Sequence, residues 1–279
     1  MKLLIVDGSN LLFQMFFGMP SRITGKDGCA IHGTLGFVGA LIKMIKMTEP
    51  THLVVLFDGE HDNPRAELSV EYKANRPSFA DVPDDDNPFS QLPDIYTALD
   101  CMGILHTEIA DGEADDAVAS YALTYGNNIK IVIASFDSDF FQLINENVSV
   151  LRYRGDKTII CDSSVIQNKF GISPEQYADY KSLTGDASDN IKGADKIGAK
   201  TAAALLRQFD NLETVINKTD EIEKPSIRES VKQNAERLRN NHCLIKLDNR
   251  ATLPYALDKL KYAYSGITTN EVLERIGLR

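Results

Sequence analysis

Short apolar runs mark the first half of the chain. Three of them, at residues 3–6, 53–57 and 129–134, are rich in β-branched side chains and lack polar alternation, and a weaker run covers residues 148–151. Such runs are typical of strands buried on both faces, as in parallel sheets. They therefore predict at least three neighbouring parallel strands.

Helical periodicity separates these runs, over residues 32–47, 92–102 and 115–125. Strands that alternate with helices indicate an α/β fold with a parallel sheet. The strand pattern stops near residue 174, and helical patterns follow at 174–183, 200–209, 212–216 and 227–247. We predict an α/β core over residues 1–180 and a helical region over residues 181–279.

An aspartate follows each of the three main runs. Asp7 and Asp58 come directly after the first and second, and Asp137 and Asp139 follow the third. The carboxyl ends of parallel strands meet at one edge of a sheet, where α/β proteins bind their ligands. A single aspartate at such a place is usually a turn residue or a helix cap. Four of them at one edge indicate a site.

Two further acidic motifs can join this edge. The segment GEADD supplies Glu113, Asp115 and Asp116, and GDASDN supplies Asp186 and Asp189. Two carboxylates about 4 Å apart repel each other by roughly 4 kcal/mol at an effective dielectric constant of 20. Oxygen ligands in this number, with no His or Cys among them, select Mg²⁺ or Mn²⁺. A pair of such ions suits hydrolysis of a phosphodiester by in-line displacement.

Charge and composition limit the function classes. The chain of 279 residues is 43% hydrophobic and 25% charged, which is typical of a globular protein, and no apolar run approaches the length of a membrane span. Its net charge of −10 argues against a nucleic-acid partner. Without the nine carboxylates, however, 31 acidic residues face 30 basic ones, so a polyanionic substrate is not excluded. The four cysteines are scattered and predict a cytoplasmic protein.

The order of the motifs resembles a known family. The blocks are IVDGSNLLFQMFFGMP (5–20), HGTLGF (32–37), FDG (57–59), YKANR (72–76), GEADD (112–116), DSDFFQL (137–143) and GDASDNIKGADKIGAKTA (185–202). Together they resemble the 5′ nucleases, which comprise flap endonucleases and the 5′→3′ exonuclease domain of bacterial DNA polymerase I. No polymerase domain follows in this sequence, so we expect a free-standing, monomeric member with a PIN-like core.

The resemblance implies roles for individual residues. The first metal ion would be held by Asp7, Asp58, Glu113 and Asp115. The second would be held by Asp137, Asp139, Asp186 and Asp189, with Asp116 bridging or acting through water. An arch would span residues 73–95; Lys73 and Arg76, on a helix leading into it, would contact the scissile phosphate, and Tyr72 would stack on a terminal base.

The resemblance also implies a helix–three-turn–helix over residues 189–209, which would bind duplex DNA and a K⁺ ion. Gly193, Lys196, Gly198 and Lys200 lie in its hairpin. The hairpin nearly spells a nucleotide-binding P-loop, but its spacing is one residue too long and no strand precedes it. The arch segment is acidic, with Asp81, Asp84, Asp85 and Asp86, which is a departure from the family pattern.

Two other functions stay open at this point. A DNA-structure-binding protein with weak or lost catalysis would share the fold, although none of the expected metal ligands is missing. A compact PIN-type ribonuclease would share the acidic edge, but the hairpin and the chain length argue against it. We therefore expect a metal-dependent nuclease that acts on 5′ flaps, nicks or 5′ ends of DNA, with RNA primers as a further substrate.

Overall fold

The computed structural model describes residues 1–59, 69, 71–75, 77–79, 81–110, 112–248 and 250–279. A six-stranded sheet lies at the centre of this described part, with the strand order β3-β2-β1-β4-β5-β6. Its first five strands are parallel, and β6 is antiparallel to β5. The strands are β1 (Lys2–Asp7), β2 (His52–Asp58), β3 (Leu105–Ile109), β4 (Lys130–Ala134), β5 (Val148–Arg152) and β6 (Ile159–Cys161).

Helices cover both faces of the sheet and form the second half of the chain. Those described are α1 (Gly8–Gly18), α2 (His32–Thr48), α3 (Leu92–Cys101), α4 (Ala114–Tyr125), α5 (Ser163–Phe170), α6 (Tyr177–Thr184), α7 (Ala199–Phe209), α8 (Leu212–Asn217), α9 (Pro225–Ile245) and α10 (Thr269–Arg275). Two short strands, β7 (Gly185–Asp186) and β8 (Ile191–Lys192), pair with each other between α6 and α7. The predicted fold class, a parallel α/β core followed by a helical region, is confirmed.

Some elements differ from their predictions. Strand β3 has the polar sequence LHTEI, and only its last residue is buried, so no apolar run predicts it. The ladder of β7 and β8 lies between the helical patterns at 174–183 and 200–209, where the sequence predicts no strand. The segment predicted as an arch, residues 73–95, contains two 3₁₀ turns, Asp84–Asp86 and Pro88–Gln91, in its described part.

The apolar core lies on both sides of β1. Leu3 and Ile5 belong to one buried cluster, and Leu4 and Val6 belong to another. Because successive side chains of a strand point to opposite faces, a strand buried on both faces reads as an uninterrupted apolar run. The first cluster continues from the sheet into the C-terminal helices, for example to Leu238 of α9. The division of the chain near residue 180 stays a prediction.

No helix in the described ranges is long and apolar enough to cross a membrane.

The β7–β8 region is packed so tightly that one glycine has no room for a side chain. A Cβ at Gly193 would lie 2.3 Å from the carbonyl carbon of Thr184 and 2.5 Å from the amide nitrogen of Gly185. These atoms belong to the backbone and cannot rotate away. By contrast, a Cβ at Gly198 would meet nothing within 4 Å.

We expect Gly193→Ala to destabilise the protein by about 2–4 kcal/mol, because backbone segments must separate to admit the methyl group. Gly198→Ala is the matched control and should cost about 1 kcal/mol or less, since Gly198 is only the N-cap of α7. Urea unfolding followed by circular dichroism measures both. Equal stability of the two variants would contradict the packing described for this ladder.

Candidate active site and metal centre

Asp7 is fixed where β1 passes into α1. Its Oδ1 accepts a hydrogen bond from the Asn10 N–H (3.0 Å), which makes Asp7 the N-cap of α1. Its Oδ2 accepts a second bond from the Ser135 hydroxyl (2.7 Å), which follows β4. Burial, together with the charges of Asp58 and Asp137, raises the pKa of Asp7 to about 7. The two bonds hold the carboxyl in place although its charged form is disfavoured.

The end of β2 brings the GEADD motif to the same edge. Asp58 Oδ1 accepts a hydrogen bond from the Ala114 N–H (3.0 Å) at the start of α4. Burial, and then the charges of Asp137, Asp7, Asp58 and Glu113 in that order, raise the pKa of the neighbouring Asp115 well above its ordinary value. The carboxylates predicted for the first metal ion therefore act on one another in the folded chain.

A second acidic group lies beside the first. One carboxylate oxygen from each of Asp139, Asp186 and Asp189 lies within 4.8 Å of the others, a spacing that can hold a metal ion. Asp139 Oδ1 is buried and accepts no hydrogen bond from the described residues. Burial and the charge of Asp137 raise the pKa of Asp139 to about 7. Among the described residues, the nearest cation to this Oδ1 is the Lys181 ammonium, 3.4 Å away. A buried carboxylate oxygen of this kind fits a divalent cation.

Ser135 links the two acidic groups. Its hydroxyl donates to Asp7 and accepts from the Asp137 N–H (2.9 Å), and Asp137 Oδ1 in turn accepts from the Asp139 N–H (2.8 Å). Ser135, directly after β4, thus carries a hydroxyl that orients both groups.

Lys181 is a site residue that the sequence reasoning missed. Its buried ammonium contacts Asp186 Oδ2 and lies 3.4 Å from Asp139 Oδ1. Burial alone would lower the pKa of Lys181, but Asp139 and Asp186 outweigh burial and raise it. Against burial, which would raise it, the hydrogen bonds from Lys181 and Ser188 keep the pKa of Asp186 below its ordinary value. The available signal was its place one helical turn after the buried Tyr177, on the apolar side of α6.

Lys73 contacts the first acidic group, as Lys181 contacts the second. Its ammonium contacts Glu113 Oε1, and its backbone N–H donates to the Asp189 carbonyl (3.1 Å). Asn75 Nδ2 donates to the Ala187 carbonyl (3.2 Å), so the segment 71–75 is held against the GDASDN motif. The segment is a turn with Lys73 in the left-handed region, so the predicted helix is wrong for these residues. Arg76 lies outside the described residues.

Comparisons with known proteins agree with this arrangement. Residues 2–171 match the model of the 5′-3′ exonuclease N-terminal resolvase-like domain, and residues 172–266 match the 5′-3′ exonuclease C-terminal SAM fold. The chain belongs to the 5′-3′ exonuclease family. The predicted family and enzyme class, a nuclease that hydrolyses phosphodiesters, are confirmed.

Individual relatives of this exonuclease-family chain are of two kinds. A 5′-3′ exonuclease of Buchnera aphidicola is 33% identical, with 92% of this chain and 86% of the relative covered. DNA polymerase I of Caldicellulosiruptor bescii is 31% identical over the whole chain, which spans 34% of that enzyme. Among solved structures, the bacteriophage T5 D15 flap endonuclease in complex with DNA and metal ions shares the fold, with a TM-score of 0.72, 24% identity and 99% coverage of both chains.

Tyr72 is largely buried. The ring is 8% exposed and packs in a small apolar cluster with Ala178, Ile191, Leu244 and Ile245. This packing holds the start of the arch segment against the end of α9. The predicted stacking of Tyr72 on a terminal base stays a prediction.

Asp116 also has a partner that the sequence did not reveal. Its Oδ1 accepts a hydrogen bond from the Asp248 N–H (2.8 Å), just after α9. The carboxylate thus ties the C-terminal segment to the acidic edge. Its predicted role as a bridge between metal ions stays a prediction.

The hairpin between β8 and α7 presents its lysines to solvent. Lys196 is exposed and has a left-handed backbone, and Lys200 is exposed in the first turn of α7. Gly198 is the N-cap of that helix, and Gly193 lies in the close contact with α6. Their predicted contacts with duplex DNA stay predictions.

Because carboxylates are crowded at this edge, we expect the stability of the metal-free protein to depend on pH. Asp7 and Asp139 have pKa values of about 7 in the folded chain and 3.8 without the fold, so folding binds protons between these values. Stability contributed by these protons is complete below pH 4 and is lost as the pH rises through 7. In chelator we expect Tm to fall on the order of 5 °C between pH 5.5 and pH 8.

Asp139→Asn should reduce this fall in Tm, because the variant removes one of the carboxyl groups whose pKa the fold raises. Asp156→Asn is the control. Asp156 is exposed in the turn between β5 and β6, and this variant should show the same fall in Tm as the wild type. Scanning calorimetry at both pH values measures the effect. An equal fall in Asp139→Asn and the control would show that the acidic edge is not its source.

Proposed function

We propose that the chain is a structure-specific 5′ nuclease that hydrolyses phosphodiesters at 5′ flaps, nicks or free 5′ ends of DNA, with the 5′ ends of RNA primers as a further substrate. One observation carries the proposal: carboxylates from distant motifs converge in two adjacent groups, and each group contacts a lysine, the half-buried Lys73 or the buried Lys181. The T5 D15 flap endonuclease, which has this fold, is known in complex with DNA and metal ions, and this supports the choice of substrate.

We propose two Mg²⁺ ions as cofactors, with Mn²⁺ as a substitute. Asp7, Asp58, Glu113 and Asp115 would hold the first ion, and Asp137, Asp139, Asp186 and Asp189 the second. The buried oxygen of Asp139 and the spacing of Asp139, Asp186 and Asp189 support the second site. When bound, such a pair activates the attacking water and stabilises the leaving oxygen.

Lys73 and Lys181 balance the carboxylates while the cations are absent. Each ammonium contacts a carboxylate that is proposed as a metal ligand. With a cation bound at that carboxylate, the ammonium of Lys73 would no longer be needed to neutralise it and would be available to the substrate. Negative charge grows on the phosphoryl oxygens in the transition state, and a placed ammonium stabilises it. We propose this role for Lys73, and for Arg76 from the family motif.

The hairpin is the proposed binding site for the duplex. Lys196 and Lys200 are exposed, and lysines in such a turn bind phosphates without reading base sequence. The K⁺ ion predicted for this hairpin stays a prediction. A cytoplasmic monomer likewise stays the expected state.

We expect Asp139→Asn and Asp186→Asn to lower the rate of 5′-flap cleavage by at least about 100-fold while binding is retained. Both substitutions are nearly isosteric, and each removes a ligand of the second ion. Affinity for a flap in Ca²⁺ should hold or rise, because the phosphates meet less negative charge.

Asp156→Asn is the control and should cleave like the wild type. Cleavage in Mg²⁺ and fluorescence anisotropy in Ca²⁺ give both quantities. Wild-type protein that binds flaps but never cleaves them in Mg²⁺ or Mn²⁺ would make the chain a DNA-structure-binding protein instead.

We expect Lys73→Ala to lower the single-turnover rate on the order of 100-fold and to change Kd by less than about threefold. The ammonium would act on charge that develops only in the transition state, so ground-state binding depends on it little. Lys157→Ala, at an exposed position, is the matched control. A loss confined to Kd, with an unchanged single-turnover rate, would remove Lys73 from the reacting phosphate.

A further inference from the structure

Helix α9 holds the backbone of the hairpin through three polar side chains. The Ser230 hydroxyl donates to the Asp195 carbonyl, Arg237 Nη2 to the Gly193 carbonyl (2.8 Å), and Asn241 Nδ2 to the Lys192 carbonyl (2.9 Å). Their spacing of seven and four residues places them on one face of the helix. Three of the four carbonyls from 192 to 195 therefore accept bonds from α9.

The middle carbonyl belongs to the most tightly packed residue of the hairpin. Gly193 fits against Thr184 and Gly185 without room for a Cβ. The following residue, Ala194, donates its N–H to the Leu183 carbonyl (2.9 Å). The hairpin is thus held between the end of α6 on one side and α9 on the other. A shift of Gly193 would move the exposed lysines that follow it.

Arg237 brings a full positive charge to this carbonyl. Its side chain is half-buried, and its Nε is buried without a hydrogen-bond partner in the described part of the chain. A charged donor makes a stronger bond to a carbonyl than a neutral one. Arg239, two residues on, has a different environment, because it pairs with the exposed Glu213 (2.9 Å).

We propose that Arg237 is a positioning residue for duplex binding. Its guanidinium fixes the Gly193 carbonyl and so sets the direction of the hairpin amides and lysines, as a bound monovalent cation would do at the same carbonyl. The proposal rests on the proposed function, since it takes the hairpin as the duplex-binding site. It implies that the affinity of the wild-type protein for duplex DNA does not depend on K⁺.

The test measures affinity for a nicked duplex by fluorescence anisotropy in Ca²⁺, at one ionic strength, in KCl or in N-methylglucamine chloride. Wild-type Kd should agree within about twofold between the two salts. Arg237→Ala should bind about tenfold more weakly in N-methylglucamine, the loss expected for about 1.4 kcal/mol. Millimolar guanidinium or K⁺ should restore most of the lost affinity.

Two further variants keep the test decisive. Arg239→Ala should bind like the wild type in both salts. Arg237→Lys keeps a cation near the carbonyl and should stay within about threefold of the wild type, which gives a readout if Arg237→Ala fails to fold. Cleavage by Arg237→Ala at saturating DNA in Mg²⁺ should match the wild type within about twofold, because the residue acts on binding.

Three results would overturn the proposal. One is an Arg237→Ala variant that binds like Arg239→Ala in both salts. Another is wild-type protein that loses affinity about tenfold when K⁺ is replaced, since the hairpin would then hold a K⁺ ion. The third is a loss in Arg237→Ala that neither guanidinium nor K⁺ restores. Wild-type protein that binds no duplex in either salt would instead contradict the proposed function.

Discussion

Repulsion between carboxylates at the carboxyl edge of the sheet is the constraint on which the site depends. Burial and neighbouring charges raise the pKa of both Asp7 and Asp139 to about 7, and that of Asp115 also rises. Such a group is stable only with compensating positive charge. In the chain itself that charge comes from Lys73 and Lys181, which contact the two acidic groups. Divalent cations would supply more charge at the same oxygens.

The fold brings distant segments to this edge and fixes them there by hydrogen bonds. Gln142, close to the second acidic group, donates to the Ile245 carbonyl (3.2 Å) and accepts from the Leu247 N–H (3.0 Å), so the end of α9 is tied to the acidic edge. The side chains of α9 also hold the hairpin. The same helix therefore contacts both the proposed duplex-binding hairpin and the proposed site of cleavage.

Sequence reasoning predicted the parts of this arrangement that depend on local order. The apolar runs predicted the parallel strands. The aspartates that follow these runs predicted the acidic edge, because the carboxyl ends of parallel strands meet at one edge of the sheet. The role of Lys181 was not predicted. A lysine is buried only when carboxylates balance its charge, and here those carboxylates include Asp139, which lies far from α6 in the sequence. The burial of Tyr72 and the turn at residues 71–75 were not predicted for a similar reason, since contacts with residues far along the chain determine both. Strand β3 is polar, so only its pairing with β2 defines it.

Direct counting of bound ions tests the central claim, that two carboxylate groups form two cation sites. Electron paramagnetic resonance of free Mn²⁺, titrated against the protein without DNA, gives the number of ions bound. We expect two ions per wild-type chain and one in Asp186→Asn, because the substitution removes a ligand from the second group only. Wild-type protein that binds one ion or none, or an Asp186→Asn variant that still binds two with unchanged affinity, would contradict the two-site arrangement.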